Sequence, residues 1–285
     1  MHYAISHETV YQYHKPIKRC VMELRMQPSD NHTQAIYGYH LDVSPAVPLF
    51  SYMDWLGNRV LHFNCREETN ALRIKVQFDA EITEGLLDES SLSRQSWSSF
   101  ESLKNSRDMI DWLLPSHYCS SVPELVAFER DIAGETEARS PWHYVRSVNQ
   151  TFKKHFTYAP KSTNVHSGIQ EALVSRMGVC QDFSHIMITL FRKKGIPARY
   201  VSGYLFHNQD VSAPDASHAW VEVYIPGQGW VGLDPTNDLV VQQRHIKIAI
   251  GRDYKDVPPS KGVFFGDDCQ HDLSVAVSVQ QAQNQ

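Results

Sequence analysis

Tyr3, Ile5, His7, Thr9, Tyr11 and Tyr13 share one face of an alternating segment, and aromatic and β-branched residues at period two predict a strand. Lys15-Pro16 predicts an edge or turn, after which Val21–Met26 runs up to Gln27-Pro28-Ser29-Asp30. Alternation returns from Ala35 to Val43, with Tyr37, Tyr39 and Leu41 on one face, and is cleanest over Leu72–Phe78. Between them Asp54-Trp55-Leu56-Gly57-Asn58-Arg59 reads as a tight turn joining Phe50–Met53 to Val60–Phe63. Short strands at close spacing predict an antiparallel β-sandwich over residues 1–85.

The pattern then changes period. Serine-rich Ser90–Ser99 reads as a surface loop, Val122-Pro123-Glu124-Leu125 opens a short helix, and 86–139 reads as a helical connecting segment. Ser140-Pro141 is an N-cap with proline at the first helical position, and Trp142, Val145, Val148 and Phe152 follow at helical spacing. Phe156-Thr157-Tyr158 is a short extended piece. Ser167-Gly168-Ile169-Gln170 fits a capping box opening a helix through Leu173, which Gly178 is expected to end. Phe183, Ile186, Met187, Leu190 and Phe191 then recur at i, i+3, i+4, i+7 and i+8, the stripe of a helix facing a core. Lys193-Lys194, Gly195 and Pro197 close it. Arg199–Phe206 predicts a strand, and two more flank Pro226-Gly227-Gln228-Gly229. Beyond Thr236 an irregular course is expected until the alternating Leu273–Val279. Residues 140–285 are assigned to one α+β core that includes this last strand.

Composition narrows the class. The 285 residues are 42% hydrophobic and 21% charged, enough for a globular core. A net charge of −5 offers no concentrated Lys/Arg for a polyanion, so no nucleic-acid partner is expected. With no membrane-length apolar run and no signal-peptide pattern after Met1, a soluble, cytoplasmic protein with no membrane contact is expected. Cys20, Cys65, Cys119, Cys180 and Cys269 form no CxxC, and the 15 histidines form no HExxH, so neither metal nor cofactor is expected.

Against that background three residues carry chemistry. Cys180 sits at the start of the amphipathic helix, where unpaired N–H groups and the positive dipole end favour a thiolate and can hold an oxyanion. On the two strands around Pro226–Gly229, Ala219, Val221, Val223 and Ile225 form one apolar face, matched by Val231 and Leu233. If both sets face one core, the register puts Asp234 across from Trp220 and diagonal to His218. Singly, each has an ordinary reading: a buried small hydrophobe, a polar strand residue, a turn cap. Together they form a nucleophile, a base and an orienter. His185, about a turn from Cys180, reads as structural, and Cys119 beside His117 lacks both a helix start and a carboxylate partner.

Gly178-Val179-Cys180-Gln181-Asp182-Phe183-Ser184-His185, Gly195–Tyr204, Ser217-His218-Ala219-Trp220-Val221-Glu222-Val223-Tyr224 and Gly229–Asn237 resemble, in order, the transglutaminase-like core. Tyr11-x-Tyr13 and Asp54-Trp55-Leu56-Gly57-Asn58 are similar to the β-rich N-terminal region of bacterial transglutaminase-like cysteine proteases. The resemblance implies a papain-like α+β fold with Cys180 as nucleophile, His218 as base and Asp234 as orienter. Tyr158, His166, Gln181 and Trp220 are candidates for oxyanion or substrate contacts. It also implies an amide of a peptide or protein as substrate, a thioester acyl-enzyme, and hydrolysis. Acyl transfer to an amine and a non-catalytic binding module are the alternatives.

Overall fold

A computed structural model describes residues 1–85, 87–137, 140–160, 162–163, 167–207 and 217–282. The strands in chain order are β1 (His2–Gln27), β2 (Gln34–Ser44), β3 (Phe50–Met53), β4 (Arg59–Cys65), β5 (Thr69–Ile82), β6 (Thr157–Tyr158) and β7 (Met177–Gly178), then β8 (Ala198–Leu205), β9 (Ser217–Ile225), β10 (Gly229–Asp234), β11 (Leu239–Val240), β12 (His245–Gly251), β13 (Ser260–Gly266) and β14 (His271–Gln281). The helices are α1 (Glu89–Ser93), α2 (Ser98–Glu101), α3 (Pro123–Asp131), α4 (Ala133–Thr136), α5 (Pro141–His155), α6 (Ile169–Ser175) and α7 (Cys180–Lys193).

Antiparallel pairing dominates the N-terminal part, as its alternation predicts, in one curled sheet rather than two separate ones. β1 is its spine. On one side β1 pairs first with β5, from His2↔Glu81 to Gln12↔Ala71, and then with β4, from Cys20↔Cys65 to Gln27↔Arg59. The register slips between Gln12 and Ile17. Pro16 lies in that slip, inside the strand rather than at a turn, where its missing N–H leaves no ladder bond unmade. β2 and β3 complete this side of the sheet.

The other side of β1 pairs with β14, from Tyr3↔Gln281 to Tyr13↔His271, and with β13, from Ile17↔Gly266 to Leu24↔Ser260. The closing strand, assigned from sequence to the 140–285 core, therefore completes the N-terminal sheet. The pairing follows from alternation on both sides: Val277 and Val279 turn toward the cluster formed by Tyr3, Ile5, Leu72, Ile74 and Phe78.

A second sheet, in the order β11-β10-β9-β8-β12, carries the core. Ile186, Met187, Leu190 and Phe191 of α7 pack in one cluster with Ala219, Val221, Val223, Ile225, Val231 and Leu233. The β9–β10 register runs from Gly229↔Ile225 to Leu233↔Val221, so the next step sets Asp234 across from Trp220, as the apolar faces demand. α3, α5 and α6 complete this cluster through Phe128, Val148, Phe152 and Leu173.

The two sheets meet through Tyr204, Ile246 and Ile248, which join the N-terminal cluster. His7, buried there, hydrogen-bonds Tyr204 Oη at 2.6 Å and Thr9 Oγ1 at 3.1 Å. Burial pushes its pKa down to about 4, so the imidazole is neutral at the contact.

Local differences have physical reasons. The Ser90–Ser99 loop contains α1 and α2, and Asp88 caps α1 by accepting from the Ser90 and Ser91 N–H groups at 3.0 and 3.1 Å. In α6 the N-cap is Gly168, and the Ser167 hydroxyl donates to Glu171 at 2.8 Å in place of the expected capping box. Arg176, at φ 57°, ends α6. Gly178, which does not end that helix, is instead held small by its neighbour, because a Cβ there would stand 2.9 Å from an Asp182 carboxylate oxygen. The stretch expected to be irregular contains β12, whose pairing with β8 shifts register between Lys247 and Ala249.

Candidate active site

The chain enters α7 through β7, which runs parallel to β6 with Tyr158 opposite Gly178. Val179 occupies the N-cap and has no side-chain acceptor. Asp182, at the third helical position, folds back instead and accepts the Val179 N–H at 2.8 Å and the Thr163 hydroxyl at 2.6 Å. Burial raises the pKa of this carboxyl. The first intrahelical bond runs from Phe183 N–H to Val179 O at 3.1 Å, so the amides of Cys180, Gln181 and Asp182 precede the helical ladder. Cys180 is the first helical residue and is half-buried.

His218 and Asp234 come from neighbouring strands. His218 Nε2 lies 2.8 Å from Asp234 Oδ2. Asp234 ends β10, is fully buried, and turns the chain by accepting the Thr236 and Asn237 amides on Oδ1 at 3.0 and 3.2 Å. Its Oδ2 takes Asn237 Nδ2 at 2.7 Å, His218, and the Nε2 of His245 at 3.1 Å. Burial works against the charge of Asp234, but hydrogen bonds from both histidines outweigh it and hold the carboxyl far below its usual range.

His218 shows the opposite balance. Burial disfavours the imidazolium, yet hydrogen bonds to Asp234 and Cys180, and their negative charge, push its pKa up to about 10. With Nε2 committed to Asp234, Nδ1 is the ring nitrogen left for the thiol. The sign of the linkage follows: a folded value above the ordinary 6.5 contributes stability in full below about 6.5, lost as pH rises through about 10.

The other candidates separate. Tyr158 stands beside Gly178 and is exposed, whereas Gln181 is buried in the first turn of α7. Trp220 is 1% exposed, which argues against direct substrate contact. Its ring packs 6.2 Å from His218 and 5.2 Å from His245, between centroids. His166 lies outside the described residues. His185 is buried, accepts the Tyr254 N–H on Nε2 at 3.1 Å and stacks on Tyr118 at 5.2 Å, and burial pushes its pKa down to about 3. It braces the back of α7.

His245 is the site residue that sequence reasoning missed. Its signal was the Ile246, Ile248, Ile250 alternation that marks β12. His218, Asp234 and His245 form the one His/Cys/Asp/Glu group among the described residues compact enough to hold a metal ion, with donor atoms within 4.8 Å of one another. Its nitrogen–oxygen contacts of 2.8 and 3.1 Å are those of a proton-linked network.

Gly203 makes room for this arrangement. A Cβ there would lie 2.3 Å from the Ile246 carbonyl oxygen and 2.5 Å from Trp220 Cη2. Gly203→Ala is therefore expected to lower stability by about 1–3 kcal/mol and to disturb His245 and His218 through Trp220. Thermal melting with Cys180 labelling checks this; an unchanged melt would show that the backbone yields there.

The family model described as the transglutaminase-like superfamily matches residues 127–235, and the bacterial transglutaminase-like N-terminal region matches 3–81. An uncharacterised protein of Mycobacterium leprae, ML0607, is 33% identical over 279 residues, covering 96% of this chain and 97% of that protein. The chain belongs to the transglutaminase-like superfamily. This transglutaminase-like chain also shares its fold with a Cytophaga hutchinsonii protein described as a "Putative Cysteine Protease", at TM-score 0.79 and 24% identity over 100% of this chain and 92% of that one. A shorter match, 35% identity over 94 residues, is to a protein-glutamine gamma-glutamyltransferase of Pseudomonas aeruginosa, covering 28% of this chain and 13% of that protein. Membership of the superfamily agrees with an enzyme of the cysteine-protease or transglutaminase kind. No described helix is long and apolar enough to cross a membrane.

Proposed function

We propose that this protein is a cysteine-dependent amide hydrolase. The observation that carries the reading is that His218 hydrogen-bonds the buried Asp234 at 2.8 Å and interacts with Cys180, at the N-terminus of α7. The His218 imidazolium supplies the positive partner that an attacking thiolate needs. Attack by Cys180 Sγ on an amide carbonyl forms a C–S bond and places negative charge on oxygen near the helix amides. His218 gives its proton to the leaving nitrogen as the C–N bond breaks, leaving a thioester. It then takes a proton from the water that attacks the thioester, and the carboxylic acid leaves as the thiolate returns. Asp234 holds the imidazole so that Nδ1 faces the thiol throughout.

Acyl transfer to an amine would use the same first half. The glutamyltransferase relative keeps that reading in play, so the test includes both acceptors. Iodoacetamide at neutral pH is expected to label Cys180 first. Burial pushes Cys20 up to about 11 and Cys119 up to about 12, and Cys65 is buried. His218→Ala should abolish the preference; even labelling of several cysteines in the parent protein would defeat the proposal. An amide library with and without a primary amine then separates the outcomes. Free acid as the main product supports hydrolysis, and amine conjugates as the main product overturn it.

A further inference from the structure

His245 has no part in the reaction just described, yet it hydrogen-bonds its central carboxylate. The residue is 5% exposed, and its Nδ1 has no hydrogen-bond partner among the described residues. Only Nε2 is engaged, on the same Asp234 oxygen that receives His218. The two rings stand 6.0 Å apart, with Trp220 packed against both. Asp234 does not need His245 for its orientation, because the Thr236 and Asn237 amides and Asn237 Nδ2 already anchor both its oxygens. What the third donor on Oδ2 changes is the charge left for His218.

We propose that His245 is a positioning residue that acts on His218 through Asp234: as a neutral Nε2–H donor it draws carboxylate charge away from the His218 imidazolium and so keeps that imidazolium acidic enough to give up its proton. The proposal rests on the amide-hydrolase reading of the site. Burial lowers the pKa of His245, which agrees with a neutral ring. A charged carboxylate shared among several donors is a weaker partner for each of them. The titratable groups facing the pair are Cys180, Asp234 and His207, with Arg244 acting on His245 from the neighbouring position. A second positive charge at His245 would oppose the imidazolium of His218, so one proton is held between the two rings rather than two.

The test measures the rate of Cys180 alkylation by iodoacetamide against pH in the full chain, in His245→Leu and in His245→Gln. The alkaline limb reports deprotonation of His218. It is expected to move up by about half to one pH unit in His245→Leu, which leaves the whole Oδ2 charge to His218. In His245→Gln, which keeps an N–H donor of similar reach, it should stay near the parent value. A limb that is unmoved or lowered in His245→Leu, or moved equally in both variants, overturns the proposal. A parent protein without preferential Cys180 labelling would instead defeat the amide-hydrolase reading. Should the leucine variant fail to fold, nitrogen-15 histidine spectra of the unmodified protein decide: the neutral Nε2–H tautomer of His245 through neutral pH supports the proposal, and a protonated His245 overturns it.

Discussion

Asp234→Asn is expected to lower amide turnover by about four orders of magnitude while leaving most of the fold intact. Some cysteine hydrolases work with asparagine in this role, so the expectation depends on the surroundings of this particular carboxylate. The polar groups that meet Asp234 are all donors: two backbone amides on Oδ1, and Asn237 Nδ2, His218 and His245 on Oδ2. An asparagine must turn its NH₂ toward one of these sets, where it meets N–H groups and no acceptor. If the NH₂ takes the Oδ2 place, His218 loses its acceptor and with it the fixed tautomer. If it takes the Oδ1 place, the turn at Thr236–Asn237 loses two bonds. The measurement is turnover of an amide found in the library screen, alongside a thermal melt. Near-parent turnover in a folded Asp234→Asn protein would remove Asp234 from the mechanism.

The largest effect on stability is expected at the other end of α7. Arg192 is 7% exposed and donates to the carbonyls of Trp112, Leu114, Ala198 and Arg252 and to the Ser116 hydroxyl, at 2.7–3.2 Å. One guanidinium thus ties α7 to β8, to the segment before α3 and to the turn after β12. Arg192→Leu fills similar volume but leaves these acceptors buried and unpaired, at a cost of about 3–5 kcal/mol. For a chain of this size that is a fall of roughly 10 °C in melting temperature. Arg192→Lys keeps the charge without the planar fork and should fall between the two. Because Cys180 lies at the opposite end of the helix, preferential labelling of the folded fraction should survive in both. A melt within a degree or two of the parent would show that water replaces the guanidinium.

What was legible in the sequence follows from how much each residue's surroundings are local. The stripe from Phe183 to Phe191 shows α7 because its apolar residues gather toward the core, although the polar positions between them, such as Ser184, His185 and Thr189, are buried as well. The two apolar faces of β9 and β10 carry their register, since a slip by one residue would turn Trp220 and Asp234 toward α7 in place of Val221 and Leu233. The facing of these two strands put His218 and Asp234 on one surface without any chemistry being assumed. β12 was missed although Ile246, Ile248 and Ile250 alternate, because its surroundings are divided between two clusters. Ile246 and Ile248 face the N-terminal cluster, Ala249 the other, and the pairing with β8 shifts register between Lys247 and Ala249. With it went His245. The edge or turn expected at Lys15-Pro16 misled because proline ordinarily breaks a strand, and the slip in pairing with β5 between Gln12 and Ile17 tolerates it. The partners of β14 could not be read at all, because alternation shows that a strand has two faces and not which strand lies beside it.

That last pairing sets an order of events in synthesis. β1 is made before these partners, yet its edge from Tyr3 to Leu24 waits for residues 260–281, by which time the layer that carries His218 and Asp234 has emerged. Until then one of the longest strands in the chain presents free N–H and C=O groups, the condition under which strands pair with the wrong neighbour. Contacts that span most of the chain also slow the search for the native state. The sheet that carries neither His218 nor Asp234 thus closes only after the one that carries both has been made, and β1 has to be protected through that interval.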